Sequence, residues 1–327
     1  MKRRTRKFLR RVVLAVPVII AGAFLYLLFR GPSADPPSSI QVSMTPDRIE
    51  RGRYLFTALA SCDGCHSQRD FSRLGGPVVP TGRGMGMVMP LAGLPGTIVA
   101  SNITPDKETG IGTWTDGEKI RAIREGVGKD GRALFPLMPY VGYRVMSDKD
   151  VEALVAYLND LAPIRNPLPK TRVSFPTSML IKSVPEPVGH SVPSVYPRGG
   201  EIPGAYLATI AGCEDCHTQS NFMGSPVAAL RFAGGRLFAT PFGKVASSNI
   251  TQDQETGIGK LDFKQFKEKM HAYAQYEKGG FPAAGPERFT LMPWESYAHL
   301  LDYDLESIFQ YLKGVAPVSN LVEIHPR

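Results

Sequence analysis

The hydrophobic pattern begins with a run of eighteen residues without a charge, Val12 to Phe29 (VVLAVPVIIAGAFLYLLF). A helix rising about 1.5 Å per residue over that run is about 27 Å long, close to the hydrocarbon core of a bilayer. It predicts a membrane-spanning helix over 12–29. A cleaved signal peptide would have a shorter apolar core and end at a small-x-small site. Cutting at Ala21-Gly22-Ala23 would leave FLYLLF on the mature chain, and Pro32-Ser33-Ala34 puts proline where a small residue is wanted. Residues 30–45 are polar and rich in proline and serine, and predict a tether. From Thr45 the apolar positions Ile49, Tyr54, Leu55 and Leu59 predict a helix that Asp47 could cap. A second such segment runs from Gly204 through Ile210. Two later helical patterns begin at Ser147 and Asp304, the first with a capping-box-like start. Each helix ahead of its module pairs with the one that ends it, so the pattern predicts small helical domains. Residues 166–197 carry seven prolines and predict an extended linker.

The chain repeats itself. Ser101-Asn102-Ile103-Thr104-Pro105-Asp106-Lys107-Glu108-Thr109-Gly110-Ile111-Gly112 returns from Ser248 to Gly259 with ten of twelve positions identical. Duplication at this level means one module used twice. The boundaries it predicts are 46–165 and 198–317, followed by a short tail at 318–327. Asn-Ile-Thr is formally a glycosylation sequon, but Asn and Asp here are better read as binding the backbone of a tight loop.

The chemistry sits in a second duplicated motif. Cys62-Asp63-Gly64-Cys65-His66 recurs as Cys213-Glu214-Asp215-Cys216-His217, and the two copies use all four cysteines. CxxCH is the spacing of covalent haem attachment: two thiols bond the porphyrin edge and the adjacent imidazole ligates iron. A zinc knuckle needs four ligands, and each copy offers three. A thiol redox pair gives no reason for the histidine. No cysteine is left over for a disulfide. Two haems, one per module, are therefore expected on Cys62, Cys65, His66, Cys213, Cys216 and His217.

Charge adds direction but no nucleic-acid footprint. Seven of the net +8 charges lie in residues 1–11, leaving +1 for residues 12–327. By the positive-inside rule that basic tail stays in the cytoplasm and everything after Arg30 lies across a bacterial inner membrane, in the periplasm. Nucleic-acid binding, which needs a clustered basic face on the folded domain, is excluded as a reading.

The order helix, CxxCH, SNIT loop, Met-Pro loop and terminal helix, found twice, resembles class I c-type cytochromes. It is most similar to the multi-haem cytochrome subunits of membrane-bound periplasmic alcohol, aldehyde and gluconate dehydrogenases. The resemblance covers roughly 46–165 and 198–317 and implies an all-α fold of two tandem cytochrome c domains. It implies iron ligation by His66 with Met138 and by His217 with Met292, the methionines standing in Leu137-Met138-Pro139-Tyr140 and Leu291-Met292-Pro293-Trp294. His190 is the only other histidine within reach of the first haem. Met85, Met87 and Met89 compete with Met138, though nothing matches them in the second module, and His271 and His299 compete with Met292. The GRGMG stretch lacks dinucleotide-binding spacing.

Departures from the family pattern matter as well. Those subunits usually carry three haems. Here Trp114 and Arg124, which the resemblance implies as haem-propionate donors, become Leu261 and His271 in the second module, so unequal potentials are expected. Irons filled on both sides have no open position for substrate. The expected function is electron transfer from a dehydrogenase partner to the quinone pool, another cytochrome or a terminal oxidase, with no catalytic residues of its own. The rival is a di-haem peroxidase-like or thiosulfate-oxidising enzyme, which would need one Met-Pro loop to be spare.

Overall fold

The computed structural model describes residues 2–195, 201–221, 225–286 and 288–326, with side chains on the first helix described from Val13 onward. Helix α1 spans Lys2–Phe29. In the first module α2 (Pro46–Tyr54) starts under Thr45, whose hydroxyl accepts from Arg48 N; Asp47, expected as the cap, lies in the first turn instead. One π turn, Leu55–Leu59, continues it, closed by Ala60 N on Leu55 O. The haem motif then forms α3 (Asp63–His66). α4 (Asp116–Glu125) is held by a reciprocal cap between Thr115 and Glu118 and ends at left-handed Gly126. α5 (Tyr140–Tyr143) follows the Met-Pro loop, and α6 (Asp148–Asp160) starts with Ser147 accepting from Asp150 N.

The second module repeats the order after α7 (Thr177–Leu180) in the connecting segment. It comprises α8 (Glu201–Ile210), α9 (Cys213–His217), α10 (Phe263–His271), α11 (Gln275–Gly279), α12 (Trp294–Tyr297) and α13 (Asp302–Lys313). α2 crosses α6, and α8 crosses α13. Glycine permits both crossings: a Cβ on Gly52 would stand 1.9 Å from Ala153 O, and one on Gly204 would stand 2.0 Å from Ser307 O. The faces so joined bury Leu55, Phe56, Leu59, Val151, Leu154 and Val155 in one module and Leu207, Ile210, Leu305 and Ile308 in the other. Each such side chain stabilises the fold by about 1.5–3 kcal/mol relative to exposure. The two sets belong to one continuous core.

Two expectations fail here. The chain is not all-α: among the described residues six short strands, β1 (Met87–Val88), β2 (Gly96–Thr97), β3 (Val99–Ala100), β4 (Arg172–Val173), β5 (Leu237–Thr240) and β6 (Gly243–Ala246), pair antiparallel as β1–β3, β2–β4 and β5–β6. They lie in glycine- and proline-rich stretches that cannot propagate helix, and pairing satisfies their backbone groups. The N-terminal transmembrane helix fails too: among the described residues no helix is long and apolar enough to cross a membrane. Pro17 inside α1 removes one backbone donor from that helix. The single-pass inner-membrane placement of 12–29 falls with it. The charged side chains of the basic tail, 1–11, lie outside the described residues.

Nor are the connecting segments free. Val42 is buried and donates its N–H to Asp116 Oδ2 at 2.9 Å, while Asp35 N donates to Glu125 Oε2 at 2.8 Å. The stretch expected to be a loose tether is thus pinned to α4, using backbone donors that its composition hides. After α6, Asn166 donates to Met85 O and β4 pairs with β2, so this part of the linker lies along the first module.

Candidate haem centres

Each CxxCH turn is oriented by the same contacts. His66 Nδ1 lies 2.8 Å from Ser101 O, and His217 Nδ1 lies 2.7 Å from Ser248 O. A carbonyl only accepts, so each ring donates from Nδ1 and keeps its lone pair on Nε2, the atom an iron would use. Burial lowers the pKa of both rings, and the carbonyl contact opposes that only in part. Both imidazoles therefore stay neutral, as a ligand must be. The two serines open the duplicated SNIT loops, which explains why those loops recur.

Asparagine and aspartate shape the loops from inside. Asn102 Oδ1 accepts from Thr104 N while its amide donates to Ile164 O at 2.7 Å; Asn249 does the same with Thr251 and Val318 O, at 2.8 Å. Asp106 and Asp253 accept from the backbone and hydroxyl of Thr109 and Thr256, bonds that lower both carboxyl pKa values. On the other side of each histidine, Gly86 N donates to His66 O and Gly234 N to His217 O, both at 2.8 Å. Gly86 is left-handed at φ 76° and a Cβ there would stand 2.4 Å from Ala100 O, so no side chain fits. The backbone of the Met85–Met89 run thus has a counterpart around Gly234, although its methionines do not; Met85 matches buried Ala233.

The thiols are not set up for thiol chemistry. Desolvation, reinforced by neighbouring Asp63 and Cys65, pushes Cys62 up to about 12, and desolvation with Cys216 and Asp215 pushes Cys213 up to about 12. A redox CxxC works through a stabilised thiolate, the opposite condition. All four cysteines are free of disulfides. An ion pair closes each turn, Arg83 Nε to Asp63 Oδ2 at 3.0 Å and Arg231 Nη2 to Glu214 Oε2 at 2.7 Å.

Met138 and Met292 are half-buried and pack against the core edge, each just ahead of a short helix. Their competitors are otherwise engaged: His271 Nε2 is 3.1 Å from Leu300 O, His299 pairs with Glu277, and His190 is exposed. Arg124 is only 5% exposed and pairs with Asp148 at 2.7 Å, yet its Nε and Nη2 are buried without a hydrogen-bond partner. Orphaned guanidinium donors fit an anionic group such as a carboxylate of a bound cofactor. The free thiols, the Nε2 lone pairs and this arginine together fit a c-type haem, which supplies reversible one-electron exchange when bound.

Sequence reasoning missed two residues of the site. Tyr143 donates to Ala60 O at 3.0 Å and Tyr297 donates to Ala211 O, each two residues ahead of its first cysteine. The signal was present as Met-Pro-x-x-x-Tyr, at Met138 to Tyr143 and Met292 to Tyr297. The residue before each first cysteine is left-handed, Gly212 at φ 68° and, less expectedly, Ser61 at φ 48°.

No family model matches the chain. Comparison with known proteins finds the fructose dehydrogenase cytochrome subunit of Gluconobacter japonicus, 32% identical over 299 residues, covering 86% of this chain and 55% of that one. The gluconate 2-dehydrogenase cytochrome c subunit of Pantoea cypripedii is 31% identical over 282 residues, covering 82% and 59%. A diheme cytochrome c-type protein of Cereibacter sphaeroides is 29% identical over 310 residues, covering 92% and 96%. The chain thus spans little more than half the length of the first two relatives and nearly all of the third.

Proposed function

We propose that this chain, similar over most of its length to cytochrome c subunits of dehydrogenase complexes, carries two covalent haems and relays single electrons from a dehydrogenase partner. The observation that supports this most strongly is the duplicated Nδ1 contact of His66 and His217, which leaves both Nε2 atoms for iron. Cys62 and Cys65 would hold the first haem and Cys213 and Cys216 the second. Met138 and Met292 would supply the distal sulfurs, each carried by a loop tied through Tyr143 or Tyr297 to the haem peptide of its own module. With His66 and Met138, and His217 and Met292, as ligands, neither iron would have a place for substrate, and this chain's residues would position electron carriers without bond chemistry.

Downstream acceptors of matching chemistry are a quinone, a further cytochrome or a terminal oxidase. Arg124, with two buried donors free of partners, would hold a carboxylate of the first haem, whereas His271 is turned to Leu300 O, so the two potentials would differ. The test is to isolate the chain with its bound partner from native cells and add sugars, sugar acids and alcohols. Reduction of its visible bands by one of these substrates supports the reading. A copurified dehydrogenase that turns over its substrate on an artificial acceptor without reducing the bands overturns it.

A further inference from the structure

The two modules meet through reciprocal contacts. Tyr54 OH donates to Asp304 Oδ2 at 2.6 Å, and Tyr206 OH donates to Asp150 Oδ2 at 2.6 Å. Each tyrosine stands on the helix that leads into its own haem motif, and each aspartate on the closing helix of the other module. The same reciprocity reaches the haem peptides. α5 touches both: Tyr143 holds Ala60 O of its own module, while Gly142 packs against Thr209 and Asp215 of the other. α12 also touches both: Tyr297 holds Ala211 O of its own module, while Ser296 Oγ meets Ser61 Oγ across the interface at 2.8 Å. Ser61 immediately precedes Cys62, and Thr209 and Asp215 flank Cys213.

Both tyrosines are buried, Tyr143 at 4% exposure and Tyr297 at 6%. The turns that carry Cys62 and Cys213 are therefore linked through α5 and α12.

Resting on the reading above, we propose that α5 and α12 form a reciprocal brace in which Tyr143 and Tyr297 are positioning residues that make the ligand geometry of each haem depend on the other. α12 bonds both haem peptides, and α5 bonds one and packs against the other, so neither short helix can shift at one site alone. Rigid elements shared in this way are what carries coupling between two centres. The brace moves no proton and breaks no bond. Its role is to fix where Met138 and Met292 stand relative to both attachment turns.

The test is potentiometric titration of the full chain, followed by visible absorption and by the paramagnetic resonance of each ferric haem. The chain is compared with Tyr143→Phe, Tyr297→Phe and Ser61→Gly. The phenylalanines keep the ring and remove only the hydroxyl. Ser61→Gly suits the left-handed backbone at that position, so it folds even where the others do not, and it removes only the cross-module contact. The expected result is that every variant retains both haems and that each displaces both midpoints and both resonance signatures. Displacement confined to the module carrying the substitution overturns the brace, as does no displacement at all. A wild-type chain without covalent haem overturns instead the reading on which the brace rests, so the two failures are distinguishable.

Discussion

Replacing Gly52 with alanine sets two effects of opposite sign against each other. In the interior of an ordinary helix, Gly→Ala is worth about 1 kcal/mol of added stability. Here the new Cβ would lie 1.9 Å from Ala153 O, 2.6 Å from Ala153 C and 2.7 Å from Tyr157 Cβ. Ordinary carbon-to-oxygen contacts begin at about 3.3 Å, so α2 and α6 must part by more than 1 Å. Backbone is the obstacle, and it cannot rotate away as a side chain would. Overpacking of this kind costs about 1–3 kcal/mol. With a rigid carbonyl as neighbour the upper end applies, leaving a net loss of about 2 kcal/mol after the propensity gain. At about 2–4 °C per kcal/mol for a protein of this size, the melting temperature should fall by about 4–8 °C. Thermal unfolding followed by circular dichroism reads this directly, with Gly204→Ala as the matching perturbation at Ser307 O. Gly279→Ala, where nothing lies within 4 Å, is the control and should be neutral or stabilising. A rise in melting temperature for Gly52→Ala would refute the close crossing.

Further predictions follow from the site and the interface. Met138→Ala should abolish the absorption band of methionine-to-ferric-iron ligation from one haem only, and Met292→Ala from the other; loss of both bands in either variant contradicts one methionine per iron. Tyr54→Phe and Tyr206→Phe each remove a hydrogen bond to a carboxylate and should each lower stability by about 1.5–3 kcal/mol, measured by denaturant titration. Acid should loosen the SNIT loops: Thr109 and Thr256 hold the Asp106 and Asp253 carboxyls below their unfolded value of about 3.9, so the stability they contribute is complete above that pH and is lost as pH falls through the lower folded values. Hydrogen exchange at Thr109 N and Thr256 N as a function of pH reads this, and protection that rises on acidification would contradict it.

Much of the site was legible in sequence because it was written twice. The CxxCH turns, the SNIT loops and the Met-Pro loops recur at matched places, and recurrence separates a constrained residue from an incidental one. The cap at Ser147 was legible for a different reason, since a hydroxyl three residues ahead of a free N–H needs only local geometry. What escaped depends on partners far away in the chain. The tether at 30–45 reads as loose because its docking uses the backbone N–H groups of Asp35 and Val42, which composition cannot display. Tyr143 and Tyr297 read as ordinary core aromatics until their hydroxyls are seen on Ala60 O and Ala211 O. The short ladders were hidden because strands of two to four residues carry almost no periodicity, and β4 finds its partner β2 more than seventy residues earlier.

The central claim is that four thiols are committed to two haems. Its most direct measurement is the number of haems that stay attached to the denatured chain, by the reduced pyridine spectrum per polypeptide, in wild type and in Cys62→Ala/Cys65→Ala and Cys213→Ala/Cys216→Ala variants. The account predicts two haems in the wild type and one in each variant. A wild-type chain that releases all its iron on denaturation, or binds zinc at these cysteines, would contradict it.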